Sequence, residues 1–197
     1  MVDKEKSKRR GRPRAFDRDE ALQTAQRLFH AHGYEGVGVA ALAEAMGVNP
    51  PSLYAAFGSK AALYEEVLAR YHCAAAPTRE LLAPGDDPTK ALSTLLREAA
   101  AIYAADPQAP GCLVLEGARG VDPDASCRAR TILDGSCTQM RDFVAITHPD
   151  KAQVVSDYMA AIMSGMSADA RAGKTAAQIL AVADMAGLAI RAMLDDR

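Results

Sequence analysis

Tryptophan is absent from this sequence, aromatic residues make up only 5% of it, and no long stretch alternates apolar and polar positions with period two. Alanine, leucine, methionine and glutamate are plentiful instead. A helix-favouring composition without strand periodicity predicts an all-α fold. No apolar run approaches the ~20 residues that span a bilayer. The basic N-terminus lacks the apolar stretch of a secretory signal. A cytoplasmic protein is therefore expected. There is no internal repeat and no P-loop, GxGxxG, HExxH or GxSxG motif, and Glu116 and Asp122 cannot be paired as a catalytic couple from their positions. No enzyme, catalytic residue or cofactor is expected.

Metal and disulfide signatures are also missing. Cys73, Cys112, Cys127 and Cys137 are separated by 39, 15 and 10 residues, with no CxxC pair. Cytosolic residence argues against structural disulfides, so the cysteines read as buried and inert. His30, His32, His72 and His148 show no ligand spacing with one another, and the adjacency of His72 and Cys73 does not make a site. No metal is predicted.

The formal net charge of −2 is unevenly distributed. Residues 1–14 hold seven basic and two acidic side chains, a net +5 that leaves −7 for the rest of the chain. A basic arm on an acidic body suits a local contact with a polyanion, although the same charge also suits a solvated tail. At 197 residues the chain is long enough for one or two domains.

Local signals divide the chain. Asp17 is a good N-cap for a helix to about His32, where Gly33 stops it, with Leu22, Ala25, Leu28 and Phe29 on one stripe. A second helix covers roughly 39–46, with Val39, Leu42, Ala43 and Met46 inward and Gly47 closing it. A third is predicted over 50–57, and a fourth after the N-cap Ser59, carrying Leu63, Val67, Leu68 and Tyr71. APGDDP (83–88) breaks the pattern, as do DPQAPG (106–111), GVDPDAS (120–126), HPD (148–150) and GKT (173–175). Helices are expected over 89–104, from about 126 to 145, after 148, and over 176–194, with residues 112–118 a further start.

The stretch GVNPPSLYAAFGSK (47–60) places two prolines at a helix start. The first backbone N–H groups of a helix have no intrahelical partner, so proline loses nothing there. With Asn49 as N-cap, Pro50 and Pro51 occupy the first two positions, and the Asn49 side chain should reach the N–H of Ser52. Helix, glycine turn and capped short helix form the pattern of a helix-turn-helix, locked by Met46, Val48, Leu53 and Phe57. Ser52, Ala55 and Ala56 are expected to face outward, small enough for close entry into a major groove.

The stretch ALQTAQRLFHAHGYEGVGVAALAEAMGVNPPSLYAAFGSKAALYEEVLARY resembles the DNA-binding domain of the TetR family of bacterial repressors. The matching features are LF and GY within 28–34, LAEAMGV at 42–48 and SLYAAFGSK at 52–60, about a quarter of the chain. The resemblance implies a three-helix DNA-binding domain followed by a larger helical domain that binds a small-molecule effector and forms a homodimer through the last two helices. The expected division is a basic arm at 1–16, a DNA-binding domain at 17–60 and an effector and dimerisation domain at 61–197. Two departures stand out. Gly38 occupies a position where the family usually has Ser or Thr capping the second helix, and Ala55 and Ala56 replace aromatic or histidine phosphate contacts of many members.

The resemblance sets Tyr54 and Lys60 against DNA phosphates. Ser52 can donate or accept at a base edge, and the methyl groups of Ala55 and Ala56 suit thymine methyls. Asn49 and Pro50 belong to the same DNA-facing helix start. Arg9, Arg10, Arg12 and Arg14, in RRGRPR, resemble a hook that enters a narrow A·T-rich minor groove. Tyr103, Leu115, Met140, Phe143, Met159 and Met163 lie on the middle helices that would surround an effector, expected to be apolar or aromatic; each also suits ordinary core. Some members of the family sense electrophiles through thiols, or metals. The dimer is expected to use Tyr158, Ile162, Gly165, Met166, Val182, Ala186, Ile190 and Met193, within small-rich segments that permit close helix approach. The competing reading is a helical adaptor, which would need neither the basic arm nor the capped helix.

Overall fold

The computed structural model describes residues 17–75 and 80–195. Nine helices and no strand occur among them: α1 (Arg18–His32), α2 (Val39–Ala45), α3 (Pro50–Phe57), α4 (Lys60–Ala74), α5 (Pro88–Ala104), α6 (Leu113–Ala118), α7 (Pro123–Ala145), α8 (Ala152–Arg171) and α9 (Ala176–Asp195). The helix starts are chemically marked. Asp17 accepts from the N–H groups of Asp19 and Glu20, Ser59 from Ala62, Asp87 from Lys90, and Asp122 from Asp124 and Ala125. Proline occupies the first position of α3, α5 and α7, behind Asn49, Asp87 and Asp122. α5 therefore starts at Pro88, one residue before the expected Thr89. α8 starts only at Ala152, because 146–151 are turn and Lys151 provides no side-chain cap.

Two cores form. The first joins α1–α4 to α6 and the start of α7, with Phe29, Leu42, Leu53, Leu63 and Tyr64 at its centre and Leu113, Ala129 and Ile132 closing it. Tyr64 stands edge-on to Phe29 at 4.9 Å and tilted against Tyr34 at 5.0 Å. The second is built by α5, α7, α8 and α9 around Leu92, Leu96, Tyr103, Phe143, Met159, Met166 and Ile190. Each fully buried aliphatic side chain contributes about 1.5–3 kcal/mol, so neither core is marginal.

α6 belongs to both cores: Leu113 and Val114 pack into the first and Leu115 into the second. Its Gly117 lies so close to α4 that a Cβ there would stand 2.3 Å from the Tyr64 hydroxyl. α9 corrects one expectation. By length and composition it is apolar enough to cross a bilayer, but here it lies along α5 and α8, pairing Asp184 with Arg97 of α5.

Candidate nucleic-acid interface and buried cavity

α2 and α3 are joined by a tight turn in which Gly47 takes φ +67°, favoured by glycine, and the N–H of Val48 donates to the carbonyl of Ala43 at 2.9 Å. Gly38 provides α2 with no side-chain cap. The Asn49 carboxamide oxygen accepts from the Ser52 N–H at 2.8 Å, leaving Pro50 and Pro51 without donors to satisfy. Leu53 and Phe57 are buried, whereas Pro50, Ser52, Tyr54 and Ala55 are exposed. Ala56 departs from the expectation of an outward face. It is half-buried against the first core, because with Leu53 and Phe57 it completes an i, i+3, i+4 stripe.

Two basic residues frame this helix. The Lys60 ammonium lies 4.0 Å from the Tyr34 ring centroid, and burial pulls its pKa down despite the Glu35 carboxylate nearby. Arg18, which the sequence reading did not single out, donates to the carbonyl of Ala56 and to Glu66, both at 2.6 Å, and covers the Phe57 ring. It ties the end of α3 to α1 and α4. Arg9, Arg10, Arg12 and Arg14 lie outside the described residues.

Polar contacts fasten this unit to the rest. The Glu35 carboxylate accepts from the N–H of Val121 at 2.8 Å and of Asp122 at 3.3 Å; these bonds, with its own backbone N–H, hold its pKa down. Arg171 of α8 donates to the carbonyls of His30 and Pro110 at 3.1 and 3.2 Å and pairs with Glu116 at 3.7 Å. The His30 ring meets the Gly111 carbonyl at 3.2 Å, and burial is the main cause of its lowered pKa.

Behind α6 a cavity of about 220 Å³ opens between α4, α5, α7 and α8. Four of the six expected lining residues, Tyr103, Leu115, Met140 and Met163, are on its wall. Phe143 and Met159 are not; they fill the second core, since Met159 shares the buried stripe of α8 with Val155 and Met166. The sequence reading missed Tyr71, Cys112 and Cys137, which also line it. The Tyr71 and Tyr103 phenols share the wall with the Cys112 thiol, and burial raises all three pKa values, with the phenols and the thiol acting on one another. Burial likewise raises the Cys137 thiol. No group of His, Cys, Asp and Glu able to hold a metal occurs among the described residues.

The last two helices split the expected interface set. Met166, Ala186 and Ile190 are buried in the chain's own second core. Tyr158, Ile162 and Met193 are half-buried, and Gly165 and Val182 are exposed. Beside them Met185 and Leu188, not singled out from sequence, are 65% and 59% exposed. Both α8 and α9 carry apolar residues on more than one face, so periodicity could not separate inward from outward positions.

Fold and site together define a helical protein in which a helix-turn-helix unit is fastened, through α6, to a bundle enclosing an apolar cavity. Residues 21–67 match the model of bacterial regulatory proteins of the tetR family. The chain is 42% identical over 197 residues, the whole of both proteins, to the HTH-type transcriptional repressor BdcR of Escherichia coli strain K12. It is 30% identical to the repressor ComR of the same organism over 188 residues, covering 89% of this chain and 90% of ComR. The solved regulator CifR, a cysteine mutant complexed with 26-bp double-strand operator DNA, superposes with a TM-score of 0.80 at 34% identity, covering 91% of this chain and 99% of CifR. The chain belongs to the TetR family.

Proposed function

We propose that this protein is a cytoplasmic one-component transcriptional regulator, a repressor that binds a palindromic operator as a homodimer and is released by a small molecule in the cavity. No catalytic role or cofactor is assigned to it. The observation that carries this reading is the position of α6, shared between the cavity wall and the core that supports α3. A ligand favouring one arrangement of α6 then biases the other site, and couplings of this kind amount to about 1–3 kcal/mol, or 5–150-fold in affinity.

In this reading residues 1–16 are a DNA-binding arm, 17–60 read DNA, and 61–197 hold the effector and the partner. The exposed face of α3, with Asn49, Pro50, Ser52, Tyr54 and Ala55, meets the major groove. Lys60 meets a phosphate, and Arg9, Arg10, Arg12 and Arg14 reach the minor groove. Exposed Gly165, Val182, Met185 and Leu188 supply the dimer face. Two recognition helices would then address half-sites about 34–36 Å apart.

The test is binding of the full chain to its own upstream region by fluorescence anisotropy across a salt series. Steep salt dependence with preference over scrambled DNA is expected. Removal of residues 1–14 should weaken binding and flatten the salt slope; an unchanged slope refutes the role of the arm. A folded dimer binding neither its own upstream region nor any fragment from a genomic selection would favour the adaptor reading.

A further inference from the structure

The walls of the cavity are as informative as its size. None of its lining residues is Asp, Glu, Lys or Arg, and aliphatic side chains and methionines make up most of the wall. An ionised ligand would lose its hydration there without meeting a carboxylate, an ammonium or a guanidinium, a cost of several kcal/mol. The volume, about 220 Å³, exceeds the ~150 Å³ of an apolar cavity that holds benzene, which leaves room for one ring and a short substituent. Ile102, on the wall and 43% exposed, marks the side open to solvent.

His72, Ser136, Gln139 and Ser164 also line the wall; the polar groups that stand together on it are two phenols and a thiol. Tyr103 is buried on α5 and Tyr71 half-buried on α4, and both hydroxyls turn to the sulfur of Cys112, just ahead of α6. A thiol is a weak acceptor, much poorer than a carbonyl or ether oxygen. Beside a sulfur, the two O–H groups are donors that a better-accepting oxygen would draw to itself.

We infer that the cavity takes an uncharged, single-ring-sized molecule bearing one hydrogen-bond-accepting oxygen, gripped by the hydroxyls of Tyr71 and Tyr103. This rests on the cavity being the effector site, yet its chemistry can be tested without DNA. On binding, the hydroxyls exchange sulfur for oxygen, which loosens the tie of Cys112 to α4 and α5 at the start of α6.

Isothermal titration of the purified full chain at pH 7.5 would compare acetophenone, ethylbenzene, benzoate and benzylammonium, which share the ring and differ in the substituent. Acetophenone should bind about tenfold or more tighter than ethylbenzene, as two modest hydrogen bonds require, and the two ions at least as much weaker. Tyr71→Phe and Tyr103→Phe should each pull acetophenone toward the ethylbenzene value while leaving ethylbenzene unchanged, which also shows that the variants fold. Equal affinities for acetophenone and ethylbenzene, tighter binding of either ion, an acetophenone preference untouched by both substitutions, or no binding by any probe at its solubility limit would each overturn the inference. Acetophenone binding as expected, with operator complexes left intact, would support this ligand chemistry and sink the effector role instead.

Discussion

Gly117 lets the coupling through α6 be measured. A Cβ at this position would stand 2.3 Å from the Tyr64 hydroxyl and 3.2 Å from the Ala129 Cβ. Tyr64 is 1% exposed and held between Phe29 and Tyr34, so its ring cannot simply swing aside. Forcing an extra carbon into such packing costs about 1–3 kcal/mol, against which Gly→Ala within a helix returns about 1 kcal/mol. Gly117→Ala should therefore be destabilising by about 1 kcal/mol net, lowering a urea midpoint by about 0.5 M for an m-value near 2 kcal/mol/M. Tyr64→Phe removes the clashing oxygen, after which the next ring contact is 3.3 Å. The double variant should recover most of the loss, a coupling of about 1 kcal/mol or more in a double-mutant cycle. Operator affinity followed in parallel should fall in the single variant and return in the double. Additive effects, or a Gly117→Ala protein more stable than the parent, would refute the claim that α6 bears on α4 at this point.

Other expected outcomes follow from named contacts. His30 has its pKa held below the ordinary 6.5, chiefly by burial. Its contribution is complete above that value and is lost as pH falls through the folded pKa, because the unfolded chain binds the proton first. Urea midpoints at pH 7.5 and 5.5 should differ more in the parent than in His30→Gln. Asn49→Ala removes the N-terminal side-chain cap of α3, costing about 1 kcal/mol of helix stability, and should weaken operator binding several-fold in anisotropy titrations. Arg18→Ala frees the Ala56 carbonyl and Glu66 together. With the guanidinium half-exposed, the stability loss should stay near ~1 kcal/mol in denaturant melts, with a larger proportional loss in DNA affinity if the placement of α3 depends on it.

Much of the architecture was legible because its signals are local. Asp17, Asn49, Ser59 and Gly33 mark helix ends through backbone chemistry that needs no tertiary context, and α3 falls where its prolines place it. The cavity was half legible. Tyr103, Leu115, Met140 and Met163 lie on the wall while Phe143 and Met159 lie behind it, since a buried stripe does not state which of its members face a void. Cys112 was read as an inert thiol because its two tyrosine partners come from α4 and α5, 41 and 9 residues away in the sequence. The same holds for Arg18 and Glu35, whose partners only tertiary folding delivers. Ala56 is different: its spacing from Leu53 and Phe57 already pointed inward.

For anyone building hybrid regulators, the sharing of α6 sets where a chain can be cut. A splice after α4 would give the DNA-reading half a foreign surface where Leu113, Val114, Ala129 and Ile132 now close its core. It would also set an unrelated residue against the Tyr64 hydroxyl in place of Gly117. Grafts that carry residues 112–132 along with the DNA-reading half preserve that seal and move the seam to the middle of α7. The sensing specificity that can be exchanged is then confined to the walls contributed by α5, the rest of α7 and α8, with Tyr71 and Cys112 travelling with the host.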